Sequence, residues 1–146
     1  MAKTKYFILL AIMVLMSINT MSQCLDFAKK TASSQMSPYV ADGNYNACDM
    51  REGETAEMYK TFFEGQSYRL IVAKAPNLPP VYIRVVDKNG AVLFDNQKMN
   101  YTHSWDFKVQ STQMLVVQIK VLDQKKATKE HGCVGILFGM ETSKKK

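Results

Sequence analysis

Apolar and polar residues alternate along most of the chain from Ala56 onward, and a period of two predicts strands with one buried face. The strongest stretch is Val81-Tyr82-Ile83-Arg84-Val85-Val86-Asp87, a turn through Asn89-Gly90, and then Ala91 to Asp95. Two apolar runs joined by Asn-Gly predict a hairpin of two antiparallel strands. Trp105, Phe107 and Val109 alternate with Ser104, Asp106 and Lys108, and Leu115, Val117, Ile119 and Val121 alternate with Val116, Gln118 and Lys120. Upstream, Met58, Lys60 and Phe62 alternate with Tyr59, Thr61 and Phe63. Glu64-Gly65-Gln66 then turns the chain, and Tyr68, Leu70 and Val72 point opposite to Arg69. Gly132 to Met140 closes the series as a strand whose glycines predict a bulge or a close backbone approach. Seven or eight short strands with turn residues between them predict a mainly β protein, an antiparallel, jelly-roll-like β-sandwich.

Before the strands the period changes. Leu25, Phe27, Ala28, Thr31 and Ala32 recur at helical spacing, with Lys29 and Lys30 on the other side. A short N-terminal helix from Cys24 to about Ser34 is expected as an accessory to the sandwich. Turn chemistry follows at Met36 to Tyr39 and Asp42 to Asn44.

The first 22 residues have another logic: Lys3 and Lys5, an apolar run from Tyr6 to Met16, then the more polar Ser17 to Ser22. This is the layout of a secretory signal peptide, with a cut expected after Ser22. The run is shorter than the roughly 20 apolar residues of a membrane span. An uncleaved anchor and a lipidated Cys24 are the alternatives, and Gln23 before Cys24 disfavours the second. The remainder divides into one domain, 23–141, and a basic tail, 142–146. The formal charge of +6 comes from 19 basic against 13 acidic residues. Setting aside Lys3, Lys5 and Lys144 to Lys146 leaves 14 against 13, so the domain carries no basic stripe of the kind that binds nucleic acid.

A secreted chain makes its three cysteines, Cys24, Cys48 and Cys133, disulfide candidates. One bridge and one free thiol are expected. The pairing stays open, although Cys133 on the last strand would fasten the N-terminal segment to the sandwich.

The polar residues spell out no reaction. His103 and His131 are the only histidines, without a metal-ligand spacing, and no metal or other cofactor is expected. Glu52, Glu54 and Glu57 could work as paired carboxylates, but beside a turn they read as solvated charges. Asp87, Asn89 and Asp95 suggest calcium, yet these residue types are what a hairpin turn uses anyway. Trp105 falls in phase with the core. The ligand surface is expected at Tyr82, Tyr101, Asn77 and Asn96, in or beside the loops Pro76 to Pro80, Asp95 to Tyr101 and Asp123 to His131. Asn100-Tyr101-Thr102 is also a glycosylation sequon, relevant only in a eukaryotic secretory pathway.

The succession Gly53-Glu54-Thr55, Phe63 to Arg69, Val86 to Gly90, Leu93-Phe94-Asp95, Trp105-Asp106-Phe107 and Gly132-Cys133-Val134 resembles a group of small, uncharacterised secreted proteins of Gram-negative bacteria. More loosely, the order of these motifs is similar to the jelly-roll sandwich of pre-peptidase C-terminal domains. The resemblance implies a non-catalytic accessory module, here without an attached protease. The expectation is a secreted or periplasmic binding or structural module for an envelope or extracellular protein or glycan, touching the membrane only through its signal peptide. A carbohydrate-binding module using Tyr82 and Tyr101 is the first alternative, and a small envelope hydrolase requiring His103 or His131 the second.

Overall fold

The computed structural model describes residues 19–142 together with Lys3, Lys5 and Tyr6. Most of the expected signal peptide and residues 143–146 of the tail lie outside the described residues. Among residues 19–142 a helix, α1 (Asn19–Gln35), precedes nine strands: β1 (Val40–Ala41), β2 (Asn46–Arg51), β3 (Thr55–Phe62), β4 (Ser67–Lys74), β5 (Val81–Asp87), β6 (Val92–Asp95), β7 (Ser104–Lys108), β8 (Gln113–Val121) and β9 (His131–Met140). The described part of the helix already includes Asn19 to Ser22, upstream of the expected cut. The strand count exceeds expectation because β1 and β2 form where only turns and a polar segment were predicted. Both pair antiparallel with the same edge of β9, which supplies the order that their own sequence lacks.

The strands form two antiparallel sheets. One has the order β9-β4-β7 with β1 and β2 on the free side of β9, and the other has the order β3-β8-β5-β6. Apart from the two-residue β1 and the β5–β6 hairpin, successive strands alternate between the sheets as two interlocked Greek keys, the topology of a jelly roll. The predicted hairpin is the β5–β6 pair. Asp87 Oδ1 accepts from the N–H groups of Asn89 and Ala91, both at 2.8 Å, and Gly90 supplies the positive φ of 83° that the turn requires. The Asp87 carboxylate thus holds its own turn.

The alternation resolves as predicted. Phe62 sits at the centre of the inter-sheet core, fully buried, with its ring edge-on to Tyr68, Phe107 and Phe138 at centroid distances of 4.9, 5.3 and 5.4 Å. Trp105 is half-buried. Its ring stacks between those of Phe94 and Phe107, so it covers the rim of the core.

The helix covers the outer face of the first sheet. Ala28, Ala32 and Met36, four residues apart, form a stripe that packs on Ile71, Ala73 and Leu137. Backbones come this close because β9 presents Gly135 to the helix, where an added Cβ would lie 3.2 Å from that of Ala28. The glycines of the last strand therefore serve close approach. Cys24, one turn before Ala28, bonds to Cys133 on the same face of β9, with 5.1 Å between the Cα atoms. Cys48 on β2 is left free and exposed.

Candidate functional site

A groove of about 440 Å³ runs along one end of the sandwich between α1, the β4–β5 connection and the segment that follows β6. Such a size lies within the roughly 300–1,000 Å³ of ligand sites. The helix contributes Phe27, Thr31 and Gln35, a second stripe beside the one that faces the sheet. Val72, Val81 and Ile83, side chains of the core, form the floor. Pro76 and Pro80 make one rim, and Asn100, Tyr101 and His103 the other. Lys74 reaches the groove from the end of β4, donating one hydrogen bond to the Leu78 carbonyl at 2.8 Å.

The Tyr101 rim is built from a single turn of 3-10 helix, Asn96–Met99. Asp95 caps it, with Oδ1 accepting from the Gln97 N–H at 2.9 Å and Oδ2 from the Tyr82 hydroxyl at 2.8 Å. The Gln97 bond and then the Tyr82 bond hold the Asp95 carboxyl below its ordinary pKa. Partial burial and the same carboxylate push Tyr82 up. Asn100 and Tyr101 follow at φ of 52° and 54°, left-handed backbone in two consecutive non-glycine residues. For a bulky side chain that conformation costs about 1–2 kcal/mol.

Asn96 holds the turn in place. It is fully buried. Oδ1 accepts from the Ile83 N–H at 2.9 Å, and Nδ2 donates to the carbonyls of Val81 at 3.0 Å and Thr102 at 2.9 Å. Its backbone carbonyl accepts from the Tyr101 N–H at 3.0 Å. Asn96 was expected on the ligand surface, and that expectation is corrected. Every polar atom of its side chain is consumed by backbone groups, of which the Ile83 N–H and the Val81 carbonyl would otherwise lie buried without partners.

The other expected surface residues separate. Tyr101 lines the groove. Tyr82 stands outside it on the open face of the second sheet, near enough to Tyr101 for that phenol to add to its upward pKa shift. Asn77 is exposed on the far flank of the proline loop, donating to the His131 carbonyl at 2.9 Å and Glu130 Oε2 at 3.2 Å. His103 lines the groove, whereas His131 pairs with Asp49 on β2 at 3.0 Å, so the two histidines serve different places.

The three glutamates also have separate partners. Glu54 accepts from the Arg51 N–H and Glu57 from Gln118 and Tyr59. Glu52 is buried, and its carboxylate braces the Asp123 to His131 segment by accepting from the N–H groups of Gln124 and Glu130. The reading of Glu52 as a solvated charge is therefore corrected. Among the described residues no three His, Cys, Asp or Glu side chains gather as a metal site, and no helix is long and apolar enough to cross a membrane.

Phe27, Thr31, Gln35 and Lys74 were not singled out as site residues. Phe27, Thr31 and Gln35 repeat every fourth position beside the Cys24, Ala28 and Ala32 stripe, which is the signal that a second helix face has a neighbour of its own.

No protein-family model matches the chain, and no curated protein matches it in sequence. Its fold is similar to that of a solved structure, Aeromonas hydrophila PliG, a periplasmic lysozyme inhibitor of g-type lysozyme. The match covers 70% of this chain and 88% of that one, with a TM-score of 0.51 and 9% sequence identity. At that identity the two share a fold, and residue roles do not transfer.

Proposed function

We propose that this chain is a secreted or periplasmic, non-catalytic recognition module that grips an envelope or extracellular protein with the groove at the end of its sandwich. The observation that carries this reading is Tyr101. Its ring stands at the groove rim on backbone that is unfavourable for it, held there by a buried Asn96. Strain maintained by a buried support is a feature of sites that act on something else. The compartment is supported by the signal-like leader and by the Cys24–Cys133 bridge, which persists where the surroundings oxidise. That a protein of similar fold is a periplasmic inhibitor of an enzyme supports a protein partner and a role without catalysis.

The experiment is a crosslinked pull-down of the tagged protein from its native cell envelope, with proteins and glycans both identified, run in parallel with Tyr101→Gly. A protein partner that is recovered by the wild type and lost by the variant is expected. Retention of that partner by the variant would exclude the groove as the recognition surface. A glycan-binding reading draws on the proximity of Tyr82 and Tyr101. Recovery of a polysaccharide alone, abolished when both tyrosines are changed, would favour it.

A further inference from the structure

The groove is one-sided in charge. Among the described residues none of the side chains that line it is Asp or Glu, while the Lys74 ammonium lines it and the His103 ring adds a polar N–H group. The Lys74 ammonium has three donors, and the Leu78 carbonyl takes one, leaving two for a ligand. Below these groups the floor of Val72, Val81 and Ile83, with Phe27 at the side, is apolar. Gln35 and Asn100 at the edges each offer a donor and an acceptor, which suits a peptide backbone.

From this arrangement we infer that the groove receives a short segment of a protein partner in which an aromatic side chain is followed by a carboxylate. The aromatic ring lies against Phe27, Pro76 and Pro80 above the nearly closed floor, and the acidic group meets Lys74 and the His103 ring at the mouth. This rests on the recognition reading above and specifies the chemistry of its partner. A glycan fits less well, since its hydroxyls reach partners only at the rim, and those set against Phe27, Pro76 and Pro80 would lose their water without gaining any. Interfaces of this kind place an aromatic anchor in a pocket and polar contacts at its rim.

The test is an NMR titration of the 15N-labelled secreted protein with three probes: N-acetyl-Phe-Asp-amide, N-acetyl-Phe-Lys-amide and chitotriose. Saturable amide shifts at Lys74, Tyr101 and His103 are expected with the acidic dipeptide. The basic dipeptide should bind roughly three- to fivefold more weakly, as for a partly exposed ion pair. Lys74→Met should erase that preference while the aromatic-dependent shifts persist, and His103→Gln should reduce it without touching the Lys74–Leu78 bond. Equal binding of the two dipeptides, no shift with either, or saturable binding of chitotriose instead would each overturn the inference. In any of those cases the loss of a crosslinked protein partner in Tyr101→Gly would still uphold the wider recognition reading. Failure of the two proposals is therefore told apart.

Discussion

Arg69 holds the Asp106 carboxylate across β4 and β7 with two N–H···O bonds of 2.7 Å each, and its remaining nitrogen donates to the carbonyls of Ser37 at 2.8 Å and Gln35 at 3.4 Å. The guanidinium also lies 4.6 Å from the centre of the Tyr39 ring. One side chain thus ties the C-terminal end of α1 to the sheet, and the hydrogen bond to Asp106 raises its pKa further above the ordinary value.

Because Asp106 is exposed, the ion pair itself is worth little, and the contacts to the helix end carry the effect. Arg69→Ala should cost about 1–2 kcal/mol. Asp106→Asn, which keeps the helix contacts, should cost less than half of that. Thermal melts rank the two, and hydrogen exchange at Ala32 to Met36 should quicken only in the alanine variant. Equal losses would mean that the helix contacts contribute nothing.

Asn96→Ala should be the most damaging single change in the groove region, at about 2–4 kcal/mol. It strands the Ile83 N–H and the Val81 carbonyl in the interior. Tyr101→Gly should behave in the opposite way. Relief of the left-handed strain offsets the extra freedom of glycine in the unfolded chain, so stability should stay within about 1 kcal/mol of the wild type or rise. Urea unfolding of both variants decides this, and a large loss in Tyr101→Gly would show that its ring is structural.

Replacing Cys24 and Cys133 together by serine should lower stability by about 3–5 kcal/mol, since the bridge closes a loop over a sequence separation of 109. Amide protection should fall first in α1. A variant with unchanged unfolding free energy would contradict this account of the bridge.

Cys48 should take up a single maleimide per native chain. Although the residue as a whole is exposed, the crevice between β2 and β3 partly desolvates its sulfur, and this, then Asp49 and Glu54, raises its thiol pKa, so at pH 7 it holds less of the reactive thiolate than an ordinary cysteine. Labelling at pH 7 should be slower than that of a free cysteine in a denatured control, and the gap should narrow as the pH rises past about 9. Identical rates at pH 7 would contradict the raised pKa.

Strand identity was legible wherever one face of a strand is buried. Ala56 to Phe63 and Leu115 to Val121 alternate in the sequence because they alternate in the sandwich. The Asn89-Gly90 turn was legible because its backbone conformation admits few residues. Strand β2 was not legible. It lies at an edge and sends only Met50 fully into the core, so its composition is that of a loop. Asn96 and Glu52 misled for a shared reason. Each is a polar residue in a turn-rich stretch, and its burial is decided by backbone groups far along the chain, Ile83 for one and Gln124 with Glu130 for the other. The groove itself has no local signature, because it arises where a helix face, a proline loop and a left-handed turn meet.

The position of the bridge also sets an order of events. Phe27, Thr31 and Gln35 are among the earliest parts of the fold to be synthesised, yet the covalent anchor of their helix is Cys133, in the last strand. A chain interrupted before β9 lacks Leu137 and Gly135, part of the surface on which α1 packs, as well as the thiol that fastens it. No fragment that lacks the final strand can therefore present a groove whose helical wall is covalently anchored.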